Sequence, residues 1–136
     1  MKTSRATRRS QPAFTLLEMT IVIMVLISLM SLGLFTNRKM DEWKLGRAAS
    51  ETLRSVYSAQ RMYLADNPTV SVASLTPALV LPYLPNNVTV MPTVKSLTGA
   101  NLGIIVTVSP PVINAGSGTA YDPSGSNNDS LWDVGE

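Results

Sequence analysis

The chain has 136 residues, which is enough for one small domain and leaves no room for a second hydrophobic core. It contains neither cysteine nor histidine, which excludes disulfides, thiol nucleophiles, cysteine zinc sites and the commonest general base. The formal net charge is +2, but four of the eleven basic side chains lie in the first 13 residues; the rest of the chain, with seven basic and nine acidic side chains, is mildly acidic, and we expect no nucleic-acid partner.

Residues 1–13 form a short basic segment in front of a long apolar one. They carry Lys2, Arg5, Arg8 and Arg9 and no acidic side chain. Basic residues that flank a membrane-spanning helix stay on the cytoplasmic side. We therefore expect the N-terminus in the cytoplasm and the chain after Phe35 on the other side of the membrane.

Residues 14–35, FTLLEMTIVIMVLISLMSLGLF, form the apolar segment. As a helix these 22 residues would rise about 33 Å, close to the thickness of the hydrocarbon core of a bilayer. Glu18 is the one charged residue of the segment, and an unpaired carboxylate in lipid costs on the order of 3 kcal/mol. The pattern predicts a membrane-spanning helix in which Glu18 needs a partner.

The junction from Ala13 to Glu18, with Phe14 as its second residue, resembles the processing site of type IV prepilins and pseudopilins. The resemblance implies that a prepilin peptidase cleaves between Ala13 and Phe14, removes residues 1–13, and leaves Phe14 to be N-methylated. This chain has alanine where the family usually has glycine before the cut. Alanine is the smallest replacement that carries a side chain, so we expect the peptidase to accept Ala13 and cleave this chain.

Glu18 occupies the fifth position after this predicted cut. In the family that the chain resembles, a carboxylate at this position meets the N-terminal amine of a neighbouring subunit. The resemblance therefore implies that Glu18 directs assembly with other pilin or pseudopilin subunits through their N-terminal helices. A pair of this kind gains more in a low-dielectric bundle than on a surface.

The apolar segment has two other interpretations. A secretory signal peptide would place a cleavage site near Ser31 and Gly33, but Glu18 at the start of the apolar core argues against it. A plain signal anchor shares every feature except the Ala13 and Phe14 junction. That junction favours the pilin-like interpretation.

Residues 36–67 are amphipathic and predict a continuation of the same helix up to Asn67, because Pro68 disfavours helical geometry in the residue before it. The apolar positions near helical spacing are Leu45, Ala49, Leu53, Val56 or Tyr57, and Tyr63 or Leu64. Ion pairs are available for Arg38 with Asp41 or Glu42, Asp41 with Lys44, Arg47 with Glu51, and Glu51 with Arg54.

Residues 68–136 predict a small β-rich head. The expected elements are a short helix over Thr76–Leu81, strands over Val88–Met91 and Leu102–Ser109, a weaker strand around Pro111–Asn114 and an edge strand over Ser130–Val134. The resulting fold class is α+β and pilin-like: a long N-terminal helix, transmembrane and then amphipathic, with a small antiparallel sheet packed on its C-terminal half. A head of this size needs the helix to complete its core.

The C-terminal polar loop leaves two interpretations open. Oxygen-bearing side chains at alternating positions are typical of calcium loops, and here they are Asp122, Ser124, Ser126 and Asn128, with Asp133 as the closing ligand. However, the glycine is at position 125 rather than at the sixth place, and aspartate stands where glutamate normally closes the loop. The alternative is a solvated loop without a cofactor, held by Tyr121 and Trp132.

The resemblance implies a structural function, as a subunit of a helical type IV pilus-like filament, and favours a pseudopilin of a type II secretion system. The protein would then be a single-pass inner-membrane protein with a periplasmic head before assembly. A minor pilin of a type IV or DNA-uptake pilus is the first alternative. A membrane-anchored binding module that never polymerises is the second. We expect no enzyme, because no motif places a nucleophile beside a base.

Overall fold

A long helix, α1 (Leu16–Asp66), begins the computed structural model, which describes residues 15–127 and 129–135. The chain divides into two units, one ending at Arg38 and one starting at Lys39. The second unit adds the short helix α2 (Pro77–Val80) and three 3-10 turns, Val72–Ser74, Leu81–Tyr83 and Pro85–Asn87. It also contains four strands: β1 (Val94–Lys95), β2 (Asn101–Leu102), β3 (Ile104–Ile105) and β4 (Val112–Ile113).

The first unit contains the apolar part of α1, and its few hydroxyl groups are satisfied within the helix. Thr20, Ser28, Ser31 and Thr36 donate hydrogen bonds of 2.7 to 3.0 Å to backbone carbonyls three or four residues earlier. Unsatisfied polar groups are costly in lipid. The segment therefore presents an apolar surface although it contains serine and threonine.

In the second unit, α1 is amphipathic as predicted. Ala49, Leu53, Val56, Ala59 and Gln60 are buried and recur at intervals of one, three or four residues, which places them on one face of the helix. The outer face carries exposed ion pairs of Lys39 with Glu42 at 2.9 Å, Lys44 with Asp41 at 3.6 Å, and Arg47 with Glu51 at 3.9 Å. The last two pairs were predicted, whereas the pairs expected for Arg38 and for Glu51 with Arg54 do not form among the described residues.

The end of α1 and the start of α2 follow local sequence signals. After α1 ends at Asp66, Asn67 donates its backbone N–H and its Nδ2 to the carbonyl of Tyr63, each at 3.0 Å, and Pro68 follows. Thr76 precedes α2 in an extended conformation, with Pro77 as the first helical residue. The Thr76 side chain makes no capping hydrogen bond, so the fixed φ of Pro77 is the feature that starts this helix.

The strands form two small antiparallel sheets. β1 pairs with β2, with Val94 opposite Leu102, and β3 pairs with β4, with Ile104 opposite Ile113. The fold is thus α+β, with a long apolar N-terminal helix and short antiparallel strand pairs. The strand predicted around Pro111–Asn114 is present as β4, while β1 was not predicted.

Three strand predictions need correction. The segment Val88–Met91 is not a strand: Asn86 and Asn87 before it adopt left-handed φ angles, Pro92 follows it, and Val90 is 71% exposed. The expected strand Leu102–Ser109 divides at Gly103 into β2 and β3, which pair with different partners. Ser130–Val134 is not an edge strand, because Ser130 and Trp132 have φ values of 57° and 66°.

The head core lies between α1 and the chain that follows it. Leu53, Val56 and Ala59 of α1 are fully buried, and so are Val80 and Ile113. The remaining core side chains come from the turns, the strands and the C-terminal loop: Leu75, Leu84, Val94, Ile104, Val106, Trp132 and Val134. The amphipathic face of α1 is therefore one wall of the core.

Candidate functional site

The predicted assembly residue Glu18 lies in the first turn of α1. Its backbone N–H donates to the Thr15 carbonyl at 3.0 Å and to Thr15 Oγ1 at 3.3 Å, so Thr15 caps the helix. The Glu18 side chain is exposed and makes no ion pair with any residue that the structure describes. Ala13 and Phe14, the predicted cleavage and methylation residues, lie outside the described residues.

The surface around Glu18 is almost entirely apolar. Every large apolar side chain from Leu16 to Phe35 is between 43% and 84% exposed. An apolar surface this large is rare on a soluble monomer and marks a surface that lipid or another protein covers. Glu18 is the one carboxylate on it, so any partner that covers this surface also removes Glu18 from water.

A second set of contacts attaches the C-terminal loop to α1. Arg54 donates from Nε to the Val134 carbonyl at 2.8 Å and from Nη2 to Ser130 Oγ at 2.9 Å. The backbone N–H of Trp132 donates to the Gly46 carbonyl at 3.1 Å, and the Trp132 ring meets Tyr121 edge to face, with 5.4 Å between centroids. The prediction that Tyr121 and Trp132 hold this loop is confirmed.

Sequence analysis missed the residues of α1 that receive the loop. Gly46 is buried, and a Cβ built there would lie 2.8 Å from Trp132 Nε1. A lone glycine in an amphipathic helix was the available signal, since glycine costs about 1 kcal/mol there relative to alanine. Arg54 gave no such signal, because it was assigned to an ion pair with Glu51 on the helix surface.

Three of the predicted calcium-loop residues, Asp122, Ser124 and Ser126, form hydrogen bonds with one another. Asp122 Oδ1 accepts hydrogen bonds from the Ser124 N–H at 3.0 Å and from Ser124 Oγ at 2.6 Å, and Ser124 Oγ accepts one from the Ser126 N–H at 3.3 Å. Asn128 lies outside the described residues. Over residues 15–127 and 129–135 there is no cluster of three metal-ligating carboxylate, thiol or imidazole side chains, and calcium binding stays a prediction.

Asp133 differs from the other loop residues because both of its carboxylate oxygens are buried. Neither oxygen has a hydrogen-bond partner in the described part of the chain. Burial raises the pKa of Asp133, and the negative charges of Asp129 and Asp122 raise it further. The positive charge of the Arg54 guanidinium opposes these effects without reversing them.

Within α1 there is one segment that is long and apolar enough to cross a membrane, judged by length and composition, and it lies near the N-terminus. Comparison of the chain with protein-family models, with curated proteins and with solved structures finds no match. The features available for assigning a function are therefore the apolar helix with its single carboxylate, the head packed on the same helix, and the sequence around Ala13.

Proposed function

We propose that this protein is a structural subunit of a helical type IV pilus-like filament, specifically a pseudopilin of a type II secretion system that a prepilin peptidase processes. The supporting observation is that one helix carries two different surfaces. Residues 16–35 are exposed and apolar with Glu18 as the single charge, whereas Ala49, Leu53 and Val56 are buried against the head.

The apolar surface has two possible environments in this proposal. Before assembly it lies in the inner membrane, where lipid covers it and the head is periplasmic. After assembly, equivalent helices of neighbouring subunits cover it, and Glu18 meets the N-terminal amine that cleavage before Phe14 creates. The pairing offsets the cost of a carboxylate in an apolar bundle, which is several kcal/mol for a buried unpaired charge.

The head favours a pseudopilin over the alternatives. It is small, has no cysteine, and joins α1 to the strands through a proline-rich connection that forms α2 and the turns Leu81–Tyr83 and Pro85–Asn87. A minor pilin of a type IV or DNA-uptake pilus would share most of these features. A membrane-anchored binding module that does not polymerise is the remaining alternative, and it gives no reason for a carboxylate at Glu18.

The first test determines the N-terminus of the protein. The full chain is expressed in a host with and without a prepilin peptidase, extracted from membranes, and measured by intact mass and N-terminal peptide sequencing. We expect a start at Phe14, with or without one added methyl group, only when the peptidase is present. A chain that keeps residues 1–13 in both hosts would contradict processing and favour the anchored module.

The second test concerns assembly and uses Glu18→Ala, with Glu51→Ala as the matched control. Glu51 is an exposed carboxylate on the same helix, outside the apolar segment. We expect Glu18→Ala to insert into membranes normally but to lower the yield of filaments at least about tenfold, since breaking a buried charge pair costs about 3–5 kcal/mol. Glu51→Ala should assemble normally. Normal assembly of Glu18→Ala would contradict this function of Glu18.

A further inference from the structure

A second exposed apolar surface lies on the part of α1 that belongs to the second unit. Met40 is 51% exposed and Trp43 is 52% exposed. Together with Lys44 and Arg47 they occupy positions i, i+3, i+4 and i+7, which lie along one side of a helix. All four side chains are exposed, and we call this set the Met40–Arg47 stripe.

The head does not cover this stripe. The neighbouring residues Leu45, Gly46 and Ala49 turn towards the core, and Trp132 packs there with only 5% of its surface exposed. Trp43 borders an open groove of about 290 Å³, which also has Leu97 and Leu131 in its wall. The chain thus has one tryptophan in the core and one at the surface, beside the exposed Leu97.

The charges around the stripe favour an anionic partner. Residues 36–47 contain four basic and two acidic side chains. Lys39 pairs with Glu42, Lys44 with Asp41 and Arg47 with Glu51, but these pairs are exposed and each contributes only about 0–1 kcal/mol, so a lipid phosphate can replace them. Arg38 is exposed and has no acidic partner among the described residues. Lys95, two residues before Leu97, adds an exposed basic side chain with no acidic partner among the described residues.

The position of the stripe along α1 indicates which partner this is. Met40 and Trp43 follow Phe35, the last apolar residue of the membrane segment, by five and eight residues. At 1.5 Å per residue these separations are about 7.5 and 12 Å along a helix, while each headgroup region is about 5–8 Å thick. Helical side chains lean towards the N-terminus, which brings the Trp43 ring closer to the lipid.

We propose that the Met40–Arg47 stripe binds the lipid headgroup surface of the membrane that the apolar segment spans. The Trp43 indole lies among the headgroups, where tryptophan is enriched in membrane proteins, and Lys44 contacts anionic lipid. Leu97 adds apolar contact beside Trp43. The inference rests on membrane insertion of residues 16–35 and is independent of filament assembly.

The test uses the fluorescence of Trp43 in the full chain. Trp132→Phe leaves Trp43 as the one tryptophan, and the protein is reconstituted in vesicles of phosphatidylcholine with phosphatidylglycerol. We expect a blue-shifted emission that lipids brominated near the headgroup end of their acyl chains quench more strongly than lipids brominated near the chain terminus. Emission at the wavelength of tryptophan in water, quenched by acrylamide and unaffected by bromine, would overturn the proposal.

Two further outcomes are distinguished by varying the protein-to-lipid ratio and the charge. A blue shift that grows with this ratio and is insensitive to bromine would assign the stripe to a second copy of the chain and overturn the proposal. The variant Lys44→Gln is expected to weaken quenching in the anionic vesicles and not in phosphatidylcholine alone. Equal quenching of this variant and its parent in the anionic vesicles would contradict the lipid contact of Lys44.

The matched control moves the probe to another exposed position. Val90 is 71% exposed on the head, and Val90→Trp in a chain with Trp43→Phe and Trp132→Phe should give water-like emission without bromine quenching. Bromine quenching at both positions would mean that the whole head meets lipid, which contradicts a specific stripe. If Trp132→Phe does not fold, the emission of Trp43→Phe is subtracted from that of the natural chain, and the difference is the emission of Trp43.

Discussion

At the scale of single residues, Gly46 fixes where the C-terminal loop meets α1. The Trp132 ring lies so close to the Gly46 backbone that a Cβ added to Gly46 would be 2.8 Å from Trp132 Nε1. The backbone N–H of Trp132 also donates to the Gly46 carbonyl. Trp132 also has a left-handed φ of 66°, which is unfavourable for a bulky residue. The contacts with Gly46 and Tyr121 must offset this cost.

Gly46→Ala should therefore destabilise the head although alanine favours helix. Overpacking costs about 1–3 kcal/mol, and the gain in helix propensity returns about 1 kcal/mol at most. We expect the free energy of unfolding of the full chain in detergent micelles, measured with urea and Trp fluorescence, to fall by up to about 2 kcal/mol. Gly103→Ala, where a Cβ has no neighbour within 4 Å, is the control. Equal stability of the two variants would contradict the packing interpretation.

Asp133 gives the head an unusual dependence on pH. Its pKa is raised in the folded chain, so folding is favoured with the carboxyl protonated. This contribution to stability is present below the unfolded pKa of about 3.9 and is lost as the pH rises through the folded pKa. In the presence of a chelator, Asp133→Asn should therefore be more stable than the natural chain at neutral pH and similar to it at pH about 3.5.

The measurement is urea unfolding at several pH values. A natural chain at least as stable as Asp133→Asn at neutral pH would contradict the expected destabilising effect of the Asp133 carboxylate. Calcium added after the chelator tests the predicted calcium loop in the same experiment. Binding to the folded state raises stability by mass action, so an effect on the natural chain and none on Asp133→Asn would support the loop.

At the scale of elements, Gln60 connects α1 to the segment after β3. Its side chain is fully buried, and Nε2 donates to the carbonyls of Val106 and Val108, both at 2.8 Å. These residues follow β3 where no strand partner is available among the described residues, so the glutamine side chain takes the place of a ladder. A polar residue in the middle of an apolar face thus links the helix to the segment that follows β3.

Gln60→Met keeps the approximate volume and removes both hydrogen bonds. Leaving a buried acceptor unpaired costs about 1–3 kcal/mol, while removing the buried, unpaired Oε1 of Gln60 returns part of this cost, so we expect unfolding at lower urea with a loss of about 1–3 kcal/mol. Arg61→Met, the same replacement at the next, exposed residue, removes only the contact of the guanidinium with the Tyr57 ring and should change stability by less than about 1 kcal/mol. Similar losses for both variants would indicate an effect of methionine and not of the hydrogen bonds.

The helices were predictable from sequence, and the strands were largely not. The apolar positions of α1 from Leu45 to Leu64 repeat at helical spacing over several turns, and Pro68 marks the end. Each strand has only two residues, which is too short for an alternating pattern to be recognised. The alternation of Val88–Met91 was misleading, because its flanking residues keep it out of both sheets.

The candidate site shows the same division between local and distant signals. The junction of Ala13 and Phe14, and the position of Glu18 after it, are neighbours in sequence, so a local motif is enough to propose them. The hydrogen bond between Arg54 and Val134 joins residues 80 positions apart. Nothing local distinguishes Arg54 from the other basic residues of the helix surface, and only the fold reveals its partner.

At the scale of the whole molecule, the head and α1 share one core. Four of the thirteen buried apolar side chains of the described core, Ala49, Leu53, Val56 and Ala59, belong to α1. Gln60, Arg54 and Gly46 of α1 also form hydrogen bonds with residues of the head. Two sheets of two-residue strands cannot maintain a core by themselves, since even longer isolated hairpins are marginal in water.

A fragment of residues 39–136 should therefore fold, and a fragment of residues 68–136 should not. The longer one retains the whole second unit, including the buried face of α1, while the shorter one exposes the apolar side chains that α1 covers. We expect cooperative thermal unfolding and dispersed amide resonances for 39–136, and neither for 68–136. Adding a separate peptide of residues 39–67 to the short fragment should restore part of the dispersion. A folded 68–136 fragment would show that the head is independent of the helix, and the amphipathic half of α1 would then need another explanation.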